Sequence, residues 1–376
     1  MRAIVIVFAL YQIAYIAGYL VRPHPPEQPL FGDFLAFWSF ARFSVQVPAG
    51  NIYDPEALQA FQLALPVRFH GFYPYPYPPI FLLFLRPLAG LGYIPAYLTW
   101  MGASLGAYAV AVAGPDWRSP RVWLSLVAPT TLMAIISGQN GLLCAALLIG
   151  GFRLMRRWPL WAGLVLGCLV FKPQFFVLVP LVLIAGRRWR ALAGVVAGVL
   201  GLTLLSSAVF GPMLWLNWLR AIPVLLQLAA DNREHLLPIM PTVTATLMQT
   251  GVAIPVVQIV QSAVTLGVGA VLIWLFHRSR HWAEPAAMDI AALQVGVFLV
   301  SPYAFLYDMP MVTDAAITSG ARGTAPGPWR VVNAGLPLVA FVLPVLMLGA
   351  AAHGWPIGAA VLCGLFGVIA RAAWRD

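Results

Sequence analysis

Charge is what this chain has least of: 9% of its 376 residues are Asp, Glu, Lys or Arg, against about 25% in an ordinary soluble domain. With 61% of the residues hydrophobic, no aqueous fold of this size hides the apolar surface. Cysteine is also scarce, and Cys144, Cys168 and Cys363 all fall within apolar runs. They offer no disulfide framework and no zinc site, and buried packing is their expected role. Missing too are a Gly-rich phosphate loop, a Cys or His cluster, and a pair of carboxylates with neighbouring histidines. A nucleotide-driven motor and a metalloenzyme are thereby disfavoured, and neither a metal nor another cofactor is expected.

What the chain has is long apolar runs. A spanning helix needs roughly 20 apolar residues, and helices satisfy their own backbone polar groups in hydrocarbon. The expected class is all-α, a polytopic membrane helix bundle forming one membrane domain over 1–376. The net charge of +10 does not point to nucleic acid, because the basic residues sit in short clusters between apolar runs. Arg153, Arg156 and Arg157, then Arg187, Arg188 and Arg190, Arg278 and Arg280, Arg322 and Arg330, and Arg371 and Arg375 read as cytoplasmic topology signals.

With the N-terminus inside, residues 3–21 cross outward as a retained span. They lead to a first exterior loop over 22–77, in which Asp33 to Val47 and Asp54 to Val67 read as interfacial helices, with Phe37, Trp38, Phe40 and Phe61 available to the headgroup layer,. Spans follow at about 78–92 and 93–113. The run 121–152 is too long for one ordinary span and is broken at Ser137-Gly138-Gln139-Asn140-Gly141,. Residues 158–171 and 173–186 are each too short to cross comfortably. They read as a pair of short helices meeting at Lys172, a pattern tolerated only in protein or beside a cavity. A span at 190–209, a second exterior loop at 210–253 and five more spans (254–277, 286–301, 304–319, 330–350 and 355–371) bring the total to about 12 crossings.

Ionisable groups near hydrocarbon are kept where they have a partner or a task. Asp33, in Phe31-Gly32-Asp33-Phe34, reads equally as a proton acceptor whose burial raises its pKa or as a helix N-cap. Asp54 precedes Pro55 and reads as a cap. Arg42, Arg68 and His70 could meet a phosphate or only lipid headgroups. Tyr73-Pro74-Tyr75-Pro76-Tyr77-Pro78-Pro79 is stiff, and its rings suit either a sugar-stacking wall or an interfacial aromatic belt. His235 could shuttle a proton or contact phosphate, or be a solvated loop residue. Lys172 neutralises an anion or snorkels, and Gln139 and Asn140 bond freed backbone groups in preference to substrate. For Asp308, structure and substrate contact are both open.

The order of these features resembles glycosyltransferase family 87. An aspartate after the first span is followed by Gly50-Asn51-Ile52-Tyr53-Asp54, Tyr77-Pro78-Pro79, Ser137-Gly138-Gln139-Asn140-Gly141, Lys172-Pro173-Gln174 and Ser301-Pro302-Tyr303 leading to Tyr307-Asp308. The resemblance runs from about 30 to 310. It implies a bundle of GT-C type, similar to the polyprenyl-phosphate-dependent mannosyltransferases, at the bacterial inner membrane with its site outside. The implied partners are a polyprenyl-phosphate-sugar donor, a lipid or glycan acceptor and membrane lipids, with no nucleic acid. Asp33 is then the catalytic base, assisted by His235, with Arg42 and Arg233 at the donor phosphate. Tyr75, Tyr77, Gln139, Asn140, Lys172, Tyr307 and Asp308 line the substrate. The rival readings are a transporter or flippase of lipid-linked sugars, and a non-catalytic assembly subunit.

Overall fold

The computed structural model describes residues 2–21, 30–67, 71–322, 330–351 and 353–375; Arg68 and His70 lie outside them. Among the described residues the chain is all helix and turn, with no strand. α1 (Arg2–Val21) leads to α2 (Phe34–Gln46) and α3 (Pro55–Leu63), then to α4 (Ile80–Leu85), α5 (Tyr93–Ala113), α6 (Pro120–Leu126), α7 (Pro129–Ser137) and α8 (Gly141–Leu154). After these come α9 (Pro159–Gly167), α10 (Pro173–Phe176), α11 (Leu178–Ala185), α12 (Trp189–Phe210), α13 (Met213–Asp231), α14 (Arg233–Leu236) and α15 (Val243–Gln249). The last are α16 (Ile254–Arg278), α17 (Ala287–Val300), α18 (Pro310–Arg322), α19 (Arg330–Phe341), α20 (Leu343–Ala351) and α21 (Gly358–Arg375).

Five of these helices, α5, α12, α13, the one beginning at Ile254 and α21, are long and apolar enough to cross a membrane. The bent pairs α6–α7 and α19–α20 bring the number to seven. Several sequence expectations are corrected here. The run 78–92 holds only the six-residue α4 and a 3-10 turn at Arg86–Leu88, because Pro78, Pro79 and Pro87 fragment it. Residues 330–350 bend by 72° between α19 and α20, where the Pro344 ring cannot follow a helix through residue 340. A second break precedes Gly138 by ten residues: α6 and α7 meet at 43°, with Pro129 opening α7. The carbonyls freed there are taken up by Thr131 Oγ1, which donates to Ser125 O at 2.7 Å, and by Gln12 Nε2 of α1, which reaches Leu126 O at 3.5 Å and also donates to Ala128 O at 3.0 Å.

α2 is not a surface helix. Phe34, Phe37, Trp38, Phe40 and Phe43 are all at most 1% exposed, because Phe34–Gln46 is apolar nearly all round and such a helix is driven into the interior. Its Phe37 ring packs edge-on against Tyr77, Phe81 and Trp100. α13 lies within the stretch read as the second exterior loop and packs lightly, with Asn217 Nδ2 donating to Gly50 O at 3.0 Å. α9 and α12 approach closely because Gly163 and Gly167 of one face the other's backbone, as do Gly194 and Gly198 in return. This small-xxx-small spacing lets membrane helices touch backbone to backbone.

The basic clusters around Arg156, Arg188, Arg278 and Arg375 gather at one end. Arg188 donates to the carbonyls of Ser279 (2.9 Å), Trp282 (2.5 Å) and Ala283 (3.2 Å). Arg156 approaches Glu284 at 3.9 Å, and Arg278 donates to Trp374 O at 3.2 Å. From that end α8 runs back 14 residues to Asn140, about 20 Å at the helical rise. Pro159–Phe171 and Pro173–Ala185 make the same journey to Lys172 and return. Asn140 and Lys172 therefore sit at the end of the bundle opposite the arginines.

Candidate active site

The site is organised by the turn between α7 and α8. Gly138 there has φ +71°, in the left-handed region, and a Cβ on it would strike the Phe34 side chain. Gly141 meets the Tyr307 carbonyl so closely that a Cβ would overlap it. These two approaches bring the N-terminus of α2 and the Phe305–Asp308 turn onto one short segment. The freed carbonyls of α7 do not need Gln139 or Asn140: Tyr97 OH donates to Ile135 O at 2.7 Å and Trp100 Nε1 to Gly138 O at 3.2 Å. That corrects the backbone-bonding role read for the two amides and leaves both side chains for other partners.

Gln139 Nε2 reaches Asp33 Oδ2 at 3.5 Å, while its Oε1 is buried with no hydrogen-bond partner. Asn140 Nδ2 donates to Tyr77 OH at 3.1 Å, and Lys172 Nζ donates to Asn140 Oδ1 at 3.0 Å. Lys172 also donates to Asp308 Oδ1 at 2.5 Å, and the second Asp308 oxygen accepts from Phe305 N at 3.2 Å. The ammonium faces the Phe175 ring at 4.7 Å and the Tyr307 ring at 5.8 Å. With Asp308 fully buried and the Lys172 side chain 5% exposed, the pair is closed, and snorkelling is excluded. Lys172, the only lysine of the chain, neutralises a protein carboxylate.

Asp33 is different. It stands at the N-cap position of α2 in an α conformation (φ −68°, ψ −26°) and makes no side-chain capping bond. Burial pushes its carboxyl above the ordinary range, and the Gln139 amide offsets part of that rise. Tyr73 is pushed up to about 12 by burial and then by the Asp33 charge, so it keeps its proton at neutral pH. Asp33 is thus a half-buried carboxylate with one weak partner, suited to taking a proton from a bound hydroxyl.

The other residues read from the sequence are placed apart. Tyr75 is 1% exposed, donates to Pro78 O at 3.1 Å and packs against Phe40 and Tyr53, so it belongs to the core. Arg42 is half-buried over the Trp38 ring at 5.0 Å with its Nε unpaired. It lies nine residues beyond Asp33 along α2, about 13 Å at the helical rise. Arg233 and His235 are exposed on the four-residue α14. Tyr307 is half-buried beside the ion pair. A cavity of about 470 Å³ lies at the arginine end, lined by Arg156, Trp282 and Glu284 among others. Its distance from Asp33 removes it from this chemistry. Among the described residues no group of three His, Cys, Asp or Glu side chains could hold a metal ion.

No curated protein and no solved structure matches the chain. A family's sequence model does match, over residues 75–302. That range contains Tyr77, Gln139, Asn140 and Lys172 and stops short of Asp33 and Asp308 on either side. With more than half of its length matched, the chain belongs to glycosyltransferase family 87.

Proposed function

We propose that the protein transfers a hexose, mannose by preference, from a polyprenyl-phosphate donor to a lipid-linked or glycan acceptor, with Asp33 as general base and inversion at the anomeric carbon. The observation that carries this reading is Asp33 itself: a carboxylate at a helix start that does not cap the helix, raised by burial and held, among the described residues, by Gln139 alone. A sugar hydroxyl is a poor nucleophile at neutral pH, and a carboxylate within hydrogen-bond reach removes its proton as it attacks the anomeric carbon. The C–O bond to the new sugar forms as the bond to the phosphate oxygen breaks, and the pair of electrons leaves on the prenyl phosphate. That group departs without an acid, stabilised by cations or hydrogen-bond donors; Arg42, Arg233 and His235, read for this role from the sequence, stand apart from Asp33 and serve it in the proposal only if the bound donor draws them in.

The protein is read as one membrane domain of GT-C type in the bacterial inner membrane, crossing it many times but without the span expected at 78–92. The site faces outward, opposite the arginine clusters, which the positive-inside rule assigns to the cytoplasm. The closure of Lys172 onto Asp308 favours an enzyme over a transporter, since it leaves the ammonium at that end of the bundle with no free charge for a passing anion,. The test is transfer from a panel of short-chain prenyl-phosphate hexoses by the purified protein, with the product's anomeric configuration read by NMR. Inverted product, fastest from the mannose donor, is the expected result. Retained configuration, or no transfer from any donor, contradicts it.

A further inference from the structure

The hydrogen bonds around Asn140 have a fixed direction. An ammonium has only donors, so the Asn140 oxygen must face Lys172. Its NH₂ must then face Tyr77, and the Tyr77 oxygen must accept. The phenol's own hydrogen is left over and has no acceptor among the described residues. Burial above all, with the Asp308 and Asp33 carboxylates adding, raises the Tyr77 phenol, so this hydrogen stays in place at neutral pH. One residue earlier in the same turn, Gln139 is fixed in the opposite sense: its NH₂ turns to Asp33 and its buried oxygen lacks a donor. An uncommitted donor on Tyr77, bonded to Asn140, and an uncommitted acceptor on Gln139, bonded to Asp33, are therefore held by two adjacent residues of one turn.

We propose that Tyr77 and Gln139 form a hydroxyl-reading subsite for a neutral sugar ring beside Asp33, with Asn140 and Lys172 as positioning residues that fix Tyr77 as a donor. A hydroxyl both gives and accepts a hydrogen bond, so the hydroxyls of one sugar ring are the chemistry that can satisfy both orphan groups. A phosphate supplies acceptors only and leaves the Gln139 oxygen without a partner. It also meets the Asp33 carboxylate, and Lys172, the cation that the described residues bring to this turn, is already closed onto Asp308. The same electrostatics that reject an anion tolerate a polyol, so the donor phosphate is held elsewhere. The ring read is that of the donor or of the acceptor, whose hydroxyl chemistry is the same.

The subsite rests on the transfer reading, and binding separates the two. Affinities of short-chain prenyl-phosphate mannose, prenyl phosphate alone and methyl mannoside are measured for the full-length protein and for Tyr77→Phe and Gln139→Met, with thermal unfolding as the folding control. Each variant is expected to weaken a sugar-bearing ligand by about two- to tenfold, the worth of one net hydrogen bond, and to leave prenyl phosphate unchanged. A loss confined to prenyl-phosphate mannose places the donor ring there, and a loss confined to methyl mannoside places the acceptor ring; both support the subsite. Equal loss for prenyl phosphate, or no loss for any ligand in folded variants, overturns it. Selective sugar binding by a wild type that transfers nothing defeats the transfer reading and leaves the subsite standing.

Discussion

Asp33 and Asp54 stand at the starts of consecutive α-helices, α2 and α3, and their surroundings divide them. Asp54 has an extended backbone (φ −84°, ψ 113°) and accepts from Glu56 N at 3.0 Å and Ala57 N at 3.4 Å, with Pro55 opening α3 behind it. Its carboxylate is used up by its own helix. Asp33 has a helical backbone that turns its side chain away from the N–H groups of α2, and among the described residues its hydrogen-bond partner is Gln139, 106 residues along the chain. Two acids at helix N-termini thus differ in one respect that matters: one is satisfied locally and near solvent, the other is left reactive against a buried aromatic wall. A carboxylate needs that incompleteness to act as a base.

Lys172 provides the outer bound of the comparison, a charge satisfied completely and far from solvent. Replacing it by Met leaves Asp308 buried without its cation, and a loss of about 3–5 kcal/mol is expected, read as a fall in apparent melting temperature in detergent. Adding Asp308→Asn should recover part of that loss. If Lys172→Met melts like the wild type, the pair is not closed and Lys172 is free for substrate. Gly141→Ala forces a methyl against the Tyr307 carbonyl and should cost about 1–3 kcal/mol. It should also weaken transfer, because the turn that carries Gln139 and Asn140 must move. Asp54→Ala removes a satisfied cap, at about 1 kcal/mol, and transfer should stay near wild type; a large drop in transfer would collapse the contrast with Asp33.

The smallest expected effect is on the pH dependence of stability. Because burial raises the Asp33 pKa in the folded protein, the native state holds more protons than the unfolded one between the ordinary carboxylate value and the raised one. Stability then falls as pH rises through that window. Asp33→Asn should flatten this slope and melt no lower than wild type at neutral pH, while transfer by the wild type falls as pH drops through the same window. A melting curve for Asp33→Asn well below wild type would make Asp33 a structural residue.

Much of the scaffold was legible in local signals. The Asp54-Pro55 pair announced its cap, and the arginine clusters with Pro173 announced the hairpin over Pro159–Phe171 and Pro173–Ala185. The Ser137–Gly141 break was readable from its polar run, but what the break is for was not. Gln139 meets Asp33 and Lys172 meets Asp308 across 106 and 136 residues, and no periodicity carries information over such distances. One signal was overlooked: a single lysine among so many arginines marks a place where a compact ammonium is needed in preference to a planar fork. α13 read as loop because Asn217, Arg220, Pro223 and Gln227 interrupt its apolar run. On a helix that packs lightly, polar residues need no buried partner.

The most direct test of the account compares transfer from prenyl-phosphate mannose by Asp33→Asn and Asp54→Asn at matched folded protein. Loss of the base is predicted to slow Asp33→Asn by about 10²–10⁴-fold, with Asp54→Asn close to wild type. Equal rates for the two variants would contradict Asp33 as the base.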